Sequence, residues 1–431
     1  MRIVTLLYNA AAAAIKWLLV AAITLGGIEV GLRLLPNLIP LGLLVEFQPD
    51  LRLSIAQRRH LQNYSQVWTF PRDDGGPALR LFRPFTRLDF EFHDTRGWVP
   101  VQLDANGFCN PPQSYDVPEI DIMVVGDSFT WCHGLEPQAV WGRQLAVFTG
   151  MSTYIIGRGN TGPYEYLQLL KWFGLPKRPK FVVFNIYEGN DLRDSVLYHK
   201  YVKATAAGET LYADAADHKS GPPIYDTLLN NVLGRHSYAF NFLVTGLGKT
   251  YDLVKEAILP IFLDTVPAQI NFRYRLNFAD GSVPFNVYNR DRDEVRHAQW
   301  LRMGMISLAD FTNALKQFVA LSRAHGFTPI VSYSPSAYTA YADFVEFEDA
   351  ALSDLMTWYS RTQREFFRSK AAELGYVFVD ITPALQAAAR AFQGKTLIYY
   401  PANVHFNAAG NRVVAEVLAP VITGQTKDAA R

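Results

Sequence analysis

Cysteine is almost missing from this 431-residue chain, which carries only Cys109 and Cys132. That excludes a fold built on a disulfide framework and a zinc site built on cysteine clusters, and no CxxC pair occurs. The nine histidines are scattered and none stands in an HExxH spacing, so no metal site is expected. An excess of either charge is missing as well, since 41 Lys and Arg face 40 Asp and Glu. Such a balance offers no sequence-wide attraction to phosphates, which argues against a nucleic-acid partner. No repeat with a period of about 20–50 residues is visible, which argues against a solenoid or propeller. What is present is core-forming material. Hydrophobic residues make up 49% and aromatics 13%, enough to exclude disorder of the whole chain. At about 150 residues per domain, the length suits two or three domains or one enlarged domain.

One long apolar run does occur. From Ile3 to Leu35 the only charges are Lys16, Glu29 and Arg33. Its best span, Trp17 to Leu35, is long enough as a helix to cross about 30 Å of hydrocarbon. Glu29 and Arg33 stand four apart on one face and can pair near the membrane surface. A cleaved signal peptide is the alternative, but no A-x-A site in a loop follows. Arg2, Lys16 and the amino terminus precede the span. The positive-inside bias therefore puts the N-terminus in the cytoplasm and the bulk of the chain outside the inner membrane, in the periplasm. We read residues 1–36 as the anchor, 37–115 as a wrapping segment, and 116–425 as the main domain with an insertion over about 195–300.

The main domain alternates. Short apolar runs at 120–125, 154–156, 181–187, 329–333 and 376–379 read as buried strands. Helices are expected at 139–148, 164–173, 307–325, 352–374 and 408–421. This alternation predicts an α/β fold with a parallel sheet covered on both faces. Within the insertion, the amphipathic stretch 251–262 is expected to pack on the domain in preference to lipid.

Polar motifs follow the strands. Gly126-Asp127-Ser128 ends the first, Gly157-Arg-Gly159-Asn-Thr-Gly162 the second, and Glu188-Gly-Asn190-Asp191 the third; Asn403-Val-His405 precedes the last helix. Sites in open α/β sheets lie beyond the carboxyl ends of the strands. A serine there is either a helix cap or a nucleophile. Gathered at one edge, these groups supply a nucleophile, oxyanion donors and a base.

The four blocks in this order resemble the SGNH (GDSL-type) hydrolases, in particular their membrane-anchored branch in bacterial envelopes, over residues 117–195 and 305–423. The resemblance implies a flavodoxin-like three-layer sandwich. It implies Ser128 as nucleophile, His405 as general base, and the Ser128 N–H, the Gly162 N–H and the Asn190 side chain as the oxyanion hole. No cofactor is implied. The substrate would be an acylated carbohydrate or another small ester, and the protein a serine esterase or an O-acyltransferase.

One position departs from that branch: Asn403 stands where an Asp is usual, two residues before the histidine. An Asn carbonyl oxygen can accept the imidazole Nδ1–H but is neutral. In a serine protease with a Ser-His-Asp triad, Asp→Asn costs about 10⁴ in kcat. Asp380 is a candidate replacement carboxylate, with a helix cap as its simpler reading. Asn403 also supports a rival of another class, a catalytically silent assembly subunit of a membrane complex. A lectin-like binder using the same cleft shares features with both. Cys109 and Cys132 are read as two separate buried thiols, with a bridge as the alternative in an extracytoplasmic compartment. His133 reads as a loop residue and Arg58-Arg59-His60 as a solvated face. Tyr198, Tyr201, Tyr212, Tyr225 and Tyr238 suit stacking on sugars, though buried packing is the simpler expectation.

Overall fold

The computed structural model describes residues 2–44, 47–59, 67–72, 74–91, 98–112, 114, 117–207, 228–229, 231–262, 270–287, 289 and 292–429. It separates into two compact units. One comprises residues 1–66 and 214–268, the other 67–213 and 269–431. The segment 37–115 is thus divided between the units, and residues 269–300 belong to the larger one.

Five strands form the centre of the larger unit: β1 (Ile122–Gly126), β2 (Thr153–Gly157), β3 (Phe181–Tyr187), β4 (Thr328–Ser334) and β5 (Val377–Asp380). They are rich in Val, Ile, Phe and Tyr, and every residue of the first three is buried. Such runs are apolar on both faces, as a parallel sheet between two helix layers requires. The sheet order is β2-β1-β3-β4-β5, and every described pairing is parallel. This is the flavodoxin-like order, whose switch point lies between β1 and β3. The mixed α/β fold with a five-stranded parallel sheet is therefore as expected. Helices α2 (Trp141–Thr149) and α9 (Ala408–Ala429) pack together, and α3 (Pro163–Leu169), α4 (Asp191–Ala206), α6 (Thr312–His325) and α7 (Ala351–Leu374) form a second group. Helix α8 (Thr382–Phe392), which the sequence pattern does not single out, joins the first.

Short antiparallel pairs adorn this core. Val67–Phe70 pairs with Leu79–Phe82, and Arg87–Glu91 with Trp98–Gln102. Tyr274–Phe278 is the middle strand between Gly281–Phe285 and Val345–Phe347. The two cysteines, expected as separate thiols, are bonded to one another across 23 residues. Both are fully buried, so burial alone does not distinguish thiols from a bridge. The bond ties the turn in which Asp104 Oδ1 accepts from the Asn106 (2.8 Å) and Phe108 (2.9 Å) N–H groups to the loop four residues after Ser128. Closing a loop of this length is worth about 3 kcal/mol in the unfolded-chain account. Cys109→Ser with Cys132→Ser should therefore lower the melting temperature, measured against an unreduced wild type. An unchanged melt would show that the bridge contributes nothing.

The smaller unit contains α1 (Arg2–Leu34) and α5 (Tyr238–Phe262). Within α1, Ile15–Leu34 is long and apolar enough to cross a membrane, and it is almost wholly exposed. Leu32, Ile39, Leu44, Phe47, Leu51, Ile55 and Tyr238 form its own apolar cluster. Arg58 is exposed, as the solvated-face reading expects, and Arg59 is half-buried; they donate to the carbonyls of Arg33 (2.8 Å) and Ile39 (2.7 Å). Their partners are about 20 residues upstream, which a local charge pattern does not reveal. His60, Tyr212 and Tyr225 lie outside the described residues.

Candidate active site

The turn after β1 is built by Asp127. Its carbonyl accepts from the N–H groups of Thr130 (3.2 Å) and Trp131 (3.1 Å), and its Oδ1 accepts from the Phe129 N–H (2.8 Å). The carboxyl is fully buried, and Oδ2 has no partner among the described residues. Burial, with Asp194 and Asp191 nearby, raises the affinity of this group for its proton well above the usual carboxylate range. The turn presents Ser128, half-buried, beyond the strand end.

Ser128 Oγ lies 2.8 Å from His405 Nε2. The histidine is carried by the loop before α9. Its Nδ1 lies 2.9 Å from the backbone carbonyl of Asn403. A carbonyl only accepts, so Nδ1 bears the hydrogen and a neutral imidazole leaves Nε2 as the acceptor facing Ser128. The Asn403 side chain has a different task. Its Oδ1 accepts from the His405 N–H (3.0 Å), closing an Asx turn. Between them Val404 has φ 56°, a conformation a β-branched residue adopts only under constraint. That backbone twist is what brings the Asn403 carbonyl to the ring. The imidazole also stacks on Phe129 (centroids 4.6 Å) and on His133 (4.0 Å), and Phe129 in turn stacks on Tyr187 (3.7 Å). His133 lies in the turn as expected and in addition stacks on the His405 ring, a contact that the sequence reading did not assign.

Gly162 and Asn190 are placed differently. The Gly162 N–H is directed at Glu165 Oε2 (3.1 Å), in the capping box that starts α3. The expected donation from Gly162 to the site is thus not what this arrangement provides. Gly159 is the nearer glycine: a Cβ there would lie 3.7 Å from the Ser128 Cβ. Among the described residues, the N–H groups of Ser128 and Gly159 have no protein acceptor. Asn190 precedes α4 and gives one amide hydrogen to Asp194 Oδ2 (2.9 Å), which leaves the other. Gly157, at the end of β2, has no room for a side chain, since a Cβ would come within 2.7 Å of the Trp131 nitrogen.

Asp380 is not directed at the histidine. It caps α8 through the Thr382 N–H (3.0 Å) and pairs with Arg364 (3.4 Å) and Arg368 (3.3 Å). Tyr198 is packed, not presented, lying flat on Tyr164 at 4.0 Å, and Tyr238 is buried in the smaller unit. Among the described residues no group of His, Cys, Asp and Glu could hold a metal ion.

Fold and site together define an α/β protein with a serine–histidine pair at the carboxyl edge of a parallel sheet, at its switch point. No family model and no curated protein matches the sequence. Solved structures do align. One is described as a lipolytic protein of the G-D-S-L family from Desulfitobacterium hafniense: 12% identical, spanning 70% of this chain and 99% of that one, TM-score 0.34. A catalytic mutant of an acetylxylan esterase from Geobacillus stearothermophilus is 10% identical over 70% and 94% of the two chains, TM-score 0.34. A protein from Slackia heliotrinireducens described as an SGNH hydrolase is 14% identical over 70% and 98%, TM-score 0.31. At such scores these likenesses carry no weight, and the fold assignment stands on the sheet order itself.

Proposed function

We propose that this chain is a serine ester hydrolase or O-acyltransferase of SGNH type, anchored by α1 with its larger unit in the periplasm. The observation that carries the reading is the 2.8 Å approach of Ser128 Oγ to an imidazole whose tautomer is fixed by the Asn403 carbonyl. Ser128 attacks an ester carbonyl while His405 Nε2 takes its proton. The oxyanion is held by the N–H groups of Ser128 and Gly159 and the remaining Asn190 amide hydrogen. His405 protonates the departing alcohol, and water or a sugar hydroxyl then releases the acyl group. An acylated carbohydrate or a small ester is the substrate class we assign. The Cys109–Cys132 bond supports an oxidising, extracytoplasmic compartment.

The test is a fluorophosphonate probe on the purified protein. An adduct mapped to Ser128 is the expected result. No adduct favours the silent assembly subunit, and one retained in Ser128→Ala rejects Ser128 as the nucleophile.

Asn403 gives a second check. In the protease case the amide of the introduced Asn holds the wrong tautomer. Here the acceptor is a backbone carbonyl, which has no amide to present in its place. Wild type should therefore turn over a small acetyl ester without a carboxylate. Asn403→Asp should change kcat by less than ~10-fold, far from the ~10⁴ of the protease case. A gain of that larger size would show that a side-chain acceptor is needed after all.

A further inference from the structure

We propose that α5 lies in the membrane interface, with its outward face against lipid at the level where α1 leaves the bilayer. The inference rests on α1 spanning the membrane and goes beyond it, because it assigns a second lipid-contacting element to a helix some 200 residues later in the chain.

The joint between the two helices sets the depth. Glu29 lies inside the apolar span Ile15–Leu34, five residues before its end, which is about 8 Å along a helix. Its Oε2 accepts from Ser237 Oγ (2.8 Å) and from the Ala239 N–H (2.8 Å), in the first turn of α5. Arg33 Nη2 donates to the His236 carbonyl (2.5 Å), and its guanidinium lies over the Tyr238 ring at 4.8 Å. The start of α5 is therefore held beside the last turns of the span. If that span is in the bilayer, the start of α5 is at its surface.

The exposed face of α5 has the chemistry for that level. Tyr238, Asn241, Val244 and Thr245 are buried within the unit. Leu243, Leu247 and Tyr251 recur every four residues and so share one stripe, and they are 38%, 59% and 44% exposed. Val232 and Leu233, just before α5, and Leu34, Leu35 and Leu38, at the end of α1, are exposed as well. These groups share the apolar, exposed character of the Ile15–Leu34 surface of α1. The sequence of α5 also carries Lys249, Asp252, Lys255 and Glu256. Four charges oppose a second crossing but suit a helix lying along the headgroups. The side chains of 252–262, on which the expectation of packing against the domain fell, lie outside the described residues.

Because the native cysteines are bonded to one another, a single introduced thiol can be labelled. Full-length Leu247→Cys, and separately Leu243→Cys, would carry a fluorophore in vesicles of phosphatidylcholine and phosphatidylglycerol containing doxyl-labelled lipid. Ile23→Cys in α1 is the reference. The expected result is loss of emission to doxyl lipid at 247 and 243 as at 23, with protection from aqueous iodide. Quenching by doxyl lipid at 23 but by iodide at 247 and 243 would overturn the proposal and leave the span intact. Iodide quenching at all three positions would overturn both. Emission at 247 that follows protein concentration and ignores doxyl lipid would assign the stripe to a second copy of this chain, and would also overturn it.

Discussion

Ser128→Ala should lower kcat on a small acetyl ester by about 10⁵-fold or more, the scale found when a serine protease loses its nucleophile or base. The geometry makes this a clean deletion. Ser128 Oγ bonds His405, while the turn is held by the Asp127 carbonyl and carboxyl through Phe129, Thr130 and Trp131. Removing the hydroxyl leaves those bonds intact, so the melting temperature should not move. His405→Ala should cost a similar factor in kcat. The double variant should be no slower than either single one, because the two residues act as a unit. Additive losses would mean that they contribute separately. Equal, non-zero rates in wild type and Ser128→Ala would reject the serine mechanism outright.

How much of this was legible in the sequence follows from how local each determinant is. The strands were, because residues such as Ile122–Val125 and Phe181–Tyr187 are apolar on both faces and end in Gly or polar turns. Ser128 and His405 were, because each sits in a motif beside a recognisable element. The choice between Gly159 and Gly162 depended on Glu165. A Gly-Pro-Tyr-Glu run is a capping box, and reading it as one shows that the Gly162 N–H already has an acceptor. The Asn403 carbonyl left no trace, since every residue has one and only the twist at Val404 aims it. The cysteine bond and the Glu29 cap on α5 join segments 23 and about 210 residues apart, and no periodicity encodes such closeness. Arg58 and Arg59 belong to a local charge run whose bonds to the carbonyls of Arg33 and Ile39, 25 and 20 residues upstream, are equally invisible to local pattern.

Arg72 carries the largest stability effect we expect. Its side chain is fully buried and grips Asp74 twice (Nε–Oδ1 2.8 Å, Nη2–Oδ2 2.5 Å) while Nη1 bonds Glu165. Glu165 in turn holds the Gly162 N–H, so Arg72 fixes the end of the loop that carries Gly159. Arg72→Ala removes one partner of a buried cluster and leaves the Glu165 carboxylate uncompensated, a loss of about 3–5 kcal/mol at neutral pH. The pH dependence separates this from simple loss of packing. Burial works to raise Asp74, but the adjoining Arg72 guanidinium outweighs it and holds that carboxyl down at about 2. A depressed acid contributes stability that is present above its unfolded pKa, about 3.9, and is lost as pH falls towards 2. Burial raises Glu165 even beside Arg72, and without the guanidinium it rises further. A raised acid costs stability above its unfolded pKa, about 4.3, and the cost is relieved by protonation. From pH 7 towards pH 4 the variant sheds its larger Glu165 penalty, so the gap between the melting temperatures should narrow over that range; below about pH 4 the wild type also loses the Asp74 contribution and the gap should narrow further. Arg72→Met, which restores apolar volume without charge, should narrow in the same way. A gap that stays constant over that range would show that Arg72 acts through packing alone.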